Sequence, residues 1–499
     1  MGKAVGQQHS QATLARTVAL SLLQEVRRRE GHARDILRMS KDLRTMDARD
    51  VGFVQRLVLG VTLASGMLDT FINSHAIKPS KIQPQVRDAL RVACYELCYL
   101  QTPAHTAVNQ GVELARGVVP RAAAMVNAIL HRVADQEVAR LVAARQAAQT
   151  KTLPTIEDLT LVMAAPKWLV RQLVDSMGLH AVCDMALCAH EPAHVWVSAN
   201  SGKHTQQHVQ ELLTNEGIKL EHTVFPAVWR AKNTAALTSS LLVKHADVVV
   251  SDLAPRMICY IASPQPRSTI LEIGQGRATK SILLEEIALQ MGAPAQLVGV
   301  DISPFKTAIA TRRLEAGWSS YCQSLAYDAC MLGDCIQDED LFYPSNTLPK
   351  PLRRNFDVVF VDAPCSGTGT MRRHPEIAWT LVPEALQTKG VHAIPAIQLR
   401  MLVSAASRVQ KDGALVYSTC SVLKQENEDV VQAFLQTKIG QHFELVSALD
   451  APAVCMLAQQ NPRAYELLSS CVTDEGMFRS HPQTGSFDGH FCARFVRRA

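Results

Sequence analysis

Four short apolar runs punctuate the second half of the chain: STILEI (268–273), QLVGVD (296–301), FDVVFVD (356–362) and GALVYST (413–419), each separated from the next by residues of helical spacing. Runs of this length and composition fit buried strands. Strand and helix in alternation imply a parallel sheet with helices on both faces. Ligands of such sheets bind beyond the carboxyl ends of the strands. The residues that follow each run are therefore where chemistry is expected.

The first run leads into LEIGQGRATKS (271–281), which turns on Gly274 and Gly276 and enters a helix. Small residues there let backbone amides approach a ligand, although a plain tight turn reads equally well. The second run ends at Asp301, roughly thirty residues on, where an acidic side chain can accept hydrogen bonds from two ribose hydroxyls. Asp328 in LAYDAC is a candidate for the adenine end of such a ligand, and Asp334 in LGDC competes for that role. The third run opens DAPCSGTGTMRRHPEIAW (362–379), so Asp362 and Cys365 emerge at the sheet edge. Arg372, Arg373 and His374 follow with positive charge suited to a phosphate-bearing substrate. The fourth ends at Thr419, and Cys420 sits just past it. A cysteine there is expected to be exposed and reactive rather than a small core hydrophobe.

The rest of the chain divides into two blocks. Residues 1–140 have helical spacing throughout, as in Leu14, Val18, Leu22 and Val26, and predict a helical bundle. Arg16, Arg27, Arg28 and Arg29 offer either an RNA contact or a solvated helix face. The Ala-, Gln- and Thr-rich stretch 136–158 reads as a helical tail and then a linker. Residues 159–248 form a small α/β segment, with a strand at 195–201; residues 249–499 form the α/β domain with the four runs. Cys183, Cys188 and His190 lack a usual zinc spacing and read as a buried cluster. The 13 cysteines, without paired spacing or an apolar leader, favour a reducing cytoplasm. No apolar run reaches about 18 residues, so no membrane span is expected. The net charge of +5 permits a nucleic-acid partner without demanding one.

DAPCSGTGT and STCS stand here intact, and they resemble the two signature strings of the NOL1/NOP2/Sun family of RNA 5-methylcytosine methyltransferases. In the first block, ARTVALSLLQEV (15–26), DARDVGFVQRLVLGV (47–61), VRDALRVACYELCYL (86–100), TPAHTAVNQGVELAR (102–116) and VNAILHR (126–132) resemble the NusB family of RNA-binding domains. Together the two resemblances imply an all-α NusB-like domain, a small α/β linking domain and a class I, Rossmann-like methyltransferase domain. They imply methylation of carbon 5 of a cytosine in 16S-type ribosomal RNA, with S-adenosylmethionine as donor, no metal, no membrane and a monomer. A tRNA cytosine or a non-catalytic rRNA-binding assembly role are the alternatives.

Carried onto this chain, the family assigns Cys420 as nucleophile, Cys365 as the residue that helps release the enzyme, and Asp362 as the contact to the cytosine edge and a neighbour of the donor. The family's donor loop aligns with Gly274, Gln275, Gly276, Arg277, Ala278, Thr279 and Lys280; with Asp301 and Asp328, read from their strand ends, these are the expected donor contacts, and Arg372, Arg373 and His374, read from their charge, the expected RNA contacts. The chain departs from the family at its donor loop, where Pro-Gly-Gly is missing while Glu272 and Lys280 remain. That loop reads closer to a general E-x-G-x-G turn. A polar insertion, 334–355, is expected as a surface loop.

Overall fold

The computed structural model of the chain describes residues 12–29, 31–232, 234, 237, 240–315, 317–333, 348–387 and 390–498. Asp334 and most of the polar insertion lie outside the described residues. The chain divides into two compact units, Met1–Pro192 with Met371–Leu381, and Ala193–Thr370 with Val382–Ala499.

The first unit is helical: α1 (Leu14–Arg29), α2 (Ala33–Met39), α3 (Ala48–His75), α4 (Pro84–Cys98), α5 (Ala104–Val118), α6 (Ala123–Thr150), α7 (Ile156–Met163), α8 (Lys167–Met177) and α9 (Leu179–Cys188). Asp47 starts α3 by accepting the Asp50 amide at 2.9 Å. α3 packs against α1, α4 and α6. Among the described residues it is the one helix long and apolar enough to cross a membrane, with a mean hydropathy of 1.5 in its most apolar window, and 56% of that window is buried. Gly60 lets it meet α4, since a Cβ there would fall 2.0 Å from the Tyr95 ring. The stretch from 136 stays helical as far as Thr150. Leu141, Ala144 and Ala148 continue its buried stripe, and alanine is the best helix former. The connection shrinks to residues 151–155, after which Thr155 and Asp158 form a capping box on α7. Cys183, Cys188 and His190 are all buried, and His190 stacks on Tyr99 at 4.2 Å. Burial pushes its imidazole down to about 3.

The basic candidates of this unit divide. Arg16 forks onto buried Glu96 at 2.8 and 2.6 Å, so it serves packing between α1 and α4 and is not a free RNA contact. Arg27 reaches Asp88 at 2.9 Å and Arg29 reaches Glu25 at 2.7 Å, while Arg28 is exposed.

The second unit holds two sheets. The smaller is antiparallel, in the order β2 (Leu220–His222), β3 (Val228–Ala231), β1 (Val195–Ala199), β4 (Val248–Val250), and α10 (Gln206–Asn215) packs on β1. The larger contains β5 (Thr269–Ile273), β6 (Gln296–Asp301), β7 (Cys322–Ala326), β8 (Phe356–Asp362), β9 (Val409–Thr419), β10 (Phe443–Val446), β11 (Phe478–Arg479) and β12 (Phe491–Arg497), in the order β10-β12-β9-β8-β5-β6-β7, with β11 pairing β12. The five strands from β9 to β7 run parallel, as expected. β12 returns between β9 and β10 in the opposite sense, so the sheet is mixed.

Successive residues of β8 show why its middle, Val358–Val361, is apolar without a break. Val358 and Phe360 face the helices Leu253–Ala262 and Thr279–Met291, and Val359 and Val361 face the helix Ile394–Ala406. Both faces are dry over these four residues, so no position among them is left for a polar side chain. From β5 the chain proceeds to β6 and β7 on one side and to β8 and β9 on the other. That reversal opens a crevice at the carboxyl ends of β5 and β8.

Candidate active site

The crevice is built from backbone contacts first. Gly274 has φ +76° and Gly276 φ +60°. A Cβ on Gly274 would lie 2.2 Å from the Asp362 carbonyl oxygen, so glycine is what lets the end of β5 touch the end of β8. The amides of Gly274 and Gln275 both donate to the Val300 carbonyl, at 2.9 and 3.0 Å, and the Gly276 amide donates to Asp301 Oδ2 at 2.9 Å. These amides are therefore used within the protein; Gly274 acts through close approach and Gly276 through its left-handed backbone.

Asp301 also accepts the Ser303 amide, at 2.8 Å through Oδ1. Each of its oxygens keeps a further lone pair. Just beyond it, Ile302 is 72% exposed, an apolar residue at the rim that sequence reading did not single out. Asp328, two residues past β7, accepts the Cys330 amide at 2.9 Å with one oxygen. The Gln275 side chain turns inward instead. It fills the space a side chain at Gly299 would need, and its Nε2 donates to Ser281 Oγ at 3.1 Å. Ser281 in turn donates to Glu272, whose carboxyl burial pushes up to about 8. Arg277 is exposed and Ala278 buried; Thr279 Oγ1 accepts from Arg313 at 3.0 Å.

Lys280 crosses the crevice. Its Nζ stands 2.5 Å from Asp362 Oδ2, and Ser418 Oγ lies 3.4 Å from Oδ1. Burial works against the ammonium charge, but Asp362 outweighs it and raises the Lys280 pKa. The loop that follows β5 is thus latched to the strand that delivers the third motif.

Cys365 and Cys420 meet at the far side of Asp362, with their sulfurs 3.0 Å apart, and both are free thiols. Hydrogen bonding to Cys420, then burial, then the charges of Cys420 and Glu426 hold the Cys365 thiol well above the usual thiol range. The two loops interlock through their backbones as well. The Gly369 amide donates to the Cys420 carbonyl at 3.0 Å, and the Gly489 amide to the Gly369 carbonyl at 2.9 Å. A Cβ on Gly369 would meet the Gly489 carbonyl at 2.0 Å. The segment before β12 is therefore part of the site wall. His490 on that segment is buried, and burial with the nearby Lys280 charge lowers its imidazole to about 4.

Beneath the thiols lies buried Glu426, which sequence reading passed over. Its carboxylate accepts the Ser366 amide at 2.7 Å, Ser366 Oγ at 2.5 Å, Ser421 Oγ at 2.5 Å and Gln398 Nε2 at 3.3 Å. The available signal was its place six residues after Cys420, inside the same KQENEDVV string.

The crevice therefore gathers Gly274, Gly276, Lys280, Asp301, Asp362, Cys365 and Cys420 at neighbouring strand ends. Arg372, Arg373 and His374 fall in the other compact unit. There Arg34 donates to the Arg373 carbonyl, His32 meets Glu376 at 2.5 Å, and the Trp379 indole donates to the Leu63 carbonyl at 2.5 Å. Arg372 is buried, Arg373 half-buried and His374 exposed. Among the described residues no group of three or more His, Cys, Asp or Glu side chains could hold a metal ion.

Residues 260–496 match the family described as 16S rRNA methyltransferase RsmB/F, and residues 13–135 match the NusB family. The chain is 25% identical over 436 residues to the probable ribosomal RNA small subunit methyltransferase B of Bacillus subtilis (strain 168), covering 85% of this chain and 88% of that protein. It is 26% identical over 391 residues to the ribosomal RNA small subunit methyltransferase B of Salmonella newport (strain SL254), covering 78% and 82%. The fold is similar to the crystal structure of PH0851, with a TM-score of 0.69 and 18% identity over 97% of this chain and all of that one; this likeness concerns fold alone.

Proposed function

We infer the reaction from a chain that carries an RsmB/F-type rRNA methyltransferase domain behind a NusB-family domain, and that is accordingly an rRNA methyltransferase. The reading is methylation of carbon 5 of a cytosine in small-subunit ribosomal RNA, through a covalent bond between Cys420 and the base. The observation that carries it is the pair of free thiols 3.0 Å apart, delivered by β8 and β9 beside the Lys280–Asp362 pair.

S-adenosylmethionine, when bound, supplies an electrophilic methyl group. The residues present fit such a group. Asp301 has lone pairs left for ribose hydroxyls after taking its two amides, and Ile302 offers an exposed apolar face beside it. Asp301, Asp328, Asp362 and the turn Gly274–Lys280 would hold it, although within that turn Gln275 has its side chain turned inward and its amide taken by the Val300 carbonyl.

Carbon 5 of cytosine is a weak nucleophile until the ring is opened to addition. The Cys420 thiolate forms a bond to carbon 6, and the electrons of the 5,6 double bond move to carbon 5, which would then take the methyl group from the donor sulfur, the pair of the broken methyl–sulfur bond staying on that sulfur. Asp362 hydrogen-bonds the cytosine edge, and Lys280 fixes its orientation. Transfer of the carbon 5 proton to solvent restores the double bond and breaks the carbon–sulfur bond, whose electron pair leaves with Cys420 as the thiolate. Cys365 stands next to the departing sulfur, where it assists that release. RNA contacts on the helical unit are proposed at Arg28, Arg373 and His374.

Bisulfite sequencing of rRNA treated with the protein and its variants tests this reading. Cys420→Ala should abolish methylation while leaving the melting temperature unchanged. Cys365→Ala should instead accumulate a denaturant-stable protein–RNA adduct. Methylation by Cys420→Ala at a near-normal rate would sink the assignment.

A further inference from the structure

Cys365 and Cys420 sit on separate loops, and nothing covalent fixes the gap between them. Each is followed directly by a serine, Ser366 or Ser421, and both serines are bound by the one carboxylate of Glu426. The same carboxylate takes Gln398 Nε2, which also donates to the Pro364 carbonyl at 2.9 Å. The residues on either side of Cys365 are thus tied to one group, directly or through Gln398. On the other loop Asn427 completes the hold. Thr419 Oγ1 donates to its Oδ1 at 2.6 Å, and its Nδ2 donates to the Ser421 carbonyl at 3.0 Å, so residues 419 and 421 bracket Cys420. Tyr417 OH anchors the support by donating to the Glu426 carbonyl at 2.5 Å. Glu426 and Asn427 are fully buried.

We propose that Glu426 is the positioning residue of this site, setting the separation of the two thiols by binding the serine that follows each of them. The inference rests on the reading of Cys365 and Cys420 as the acting pair. Glu426 bonds no cysteine side chain, so it acts through the loops. The chemistry asks for a carboxylate. Four donors converge on it, an ionised carboxylate offers acceptor sites on both oxygens, and a glutamine would offer one accepting oxygen and a competing NH2. Removing it strips the Ser366 amide of its acceptor and takes one hydrogen bond from each of Ser366 Oγ, Ser421 Oγ and Gln398 Nε2, and the loops must shift to restore them.

The test uses the full chain and a ruler that does not depend on catalysis. Glutathione disulfide is added; one cysteine thiolate attacks it and releases one glutathione, then the second thiolate attacks the mixed disulfide and releases another. The product is a Cys365–Cys420 disulfide, two hydrogens lighter, located by peptide mass mapping. The wild type should close this bond readily. Glu426→Gln should close it about tenfold more slowly, and Glu426→Ala roughly a hundredfold more slowly, halting at the mixed disulfide, because a displacement near 1 Å is costly for a bond-forming step. Turnover at saturating rRNA should fall in the same order with KM unchanged, Glu426→Gln recovering part of what Glu426→Ala loses. Should Glu426→Ala fail to fold, Glu426→Gln decides the matter alone. Closure at the wild-type rate in the variants, or lost turnover with unchanged closure, overturns the proposal. An inactive wild type whose thiols still close only with Glu426 in place would count against the reaction and for the positioning.

Discussion

Alanine at Gly274 and at Gly276 makes a paired test of how the crevice is built. Both backbones are left-handed, so either substitution carries about 1 kcal/mol of conformational strain. Their surroundings differ. A Cβ at residue 276 finds its nearest atom, the Gly274 carbonyl oxygen, at 3.9 Å, an ordinary contact. A Cβ at residue 274 falls 2.2 Å from the Asp362 carbonyl oxygen. A carbon–oxygen contact settles at about 3.3 Å, so roughly 1 Å of movement is demanded. Asp362 cannot yield alone: it is latched to Lys280 at 2.5 Å, and the next amide, Ala363, is bound to Ser418 at 2.9 Å. Overpacking of this kind adds about 1–3 kcal/mol to the strain. A 1 Å displacement of a reacting group lowers turnover about a hundredfold. Gly276→Ala should therefore melt about 1–2 °C below wild type and keep its rate within a few-fold. Gly274→Ala should melt lower still and lose about two orders of magnitude in methyl transfer to small-subunit rRNA. Calorimetric melts and transfer of a radiolabelled methyl group, run side by side, give both numbers. Equal behaviour of the two variants would refute the claim that β5 and β8 meet through Gly274.

Asp301→Ala should weaken S-adenosylmethionine binding roughly ten- to hundred-fold by titration calorimetry, with Asp301→Asn between the two; three equal Kd values would remove Asp301 from the donor site. Glu272 is expected to tilt stability against pH. Burial raises its folded pKa to about 8, so it binds a proton more tightly folded than unfolded. Its contribution is complete below the unfolded carboxyl range and fades as pH rises toward 8, by at most about 3–5 kcal/mol. Glu272→Gln should flatten that slope in denaturant melts between pH 5 and 8, and an unchanged slope would place the titration elsewhere.

Reading the chain alone succeeded where one residue's neighbours in sequence decide its fate. FDVVFVD is a strand buried on both faces, and the four consecutive apolar positions Val358–Val361 say so. The motifs past β5, β6, β8 and β9 could be read for the same reason, since a strand end carries its residues to one edge. What was not legible depends on partners far away in the chain. Arg16 looks like surface charge until Glu96, 80 residues on, is seen beneath it. Glu426 looks like one more acidic residue in a polar helix start until Ser366, 60 residues earlier, is found on it. The amides of Gly274 and Gln275 seemed free to meet a ligand because the Val300 carbonyl that takes them belongs to the next strand. The alanine-rich stretch misled in the other direction: poor in large apolar residues, it still packs, because small side chains suffice where helices lie close.

The place of β12 in the sheet bears on when the enzyme becomes competent. It slots between β9 and β10, and the turn before it holds Gly369, and through Gly369 the Cys420 loop. A ribosome releases those parts in sequence order, so the segments carrying both cysteines emerge well before the segment that clamps them. Until residue 497 has cleared the exit tunnel, β9 has an open edge and the cysteine loops lack one wall. A nascent chain stalled short of β12 should therefore handle as a sticky, inactive species, and the birth of activity should coincide with the completion of the sheet rather than with the synthesis of the cysteines.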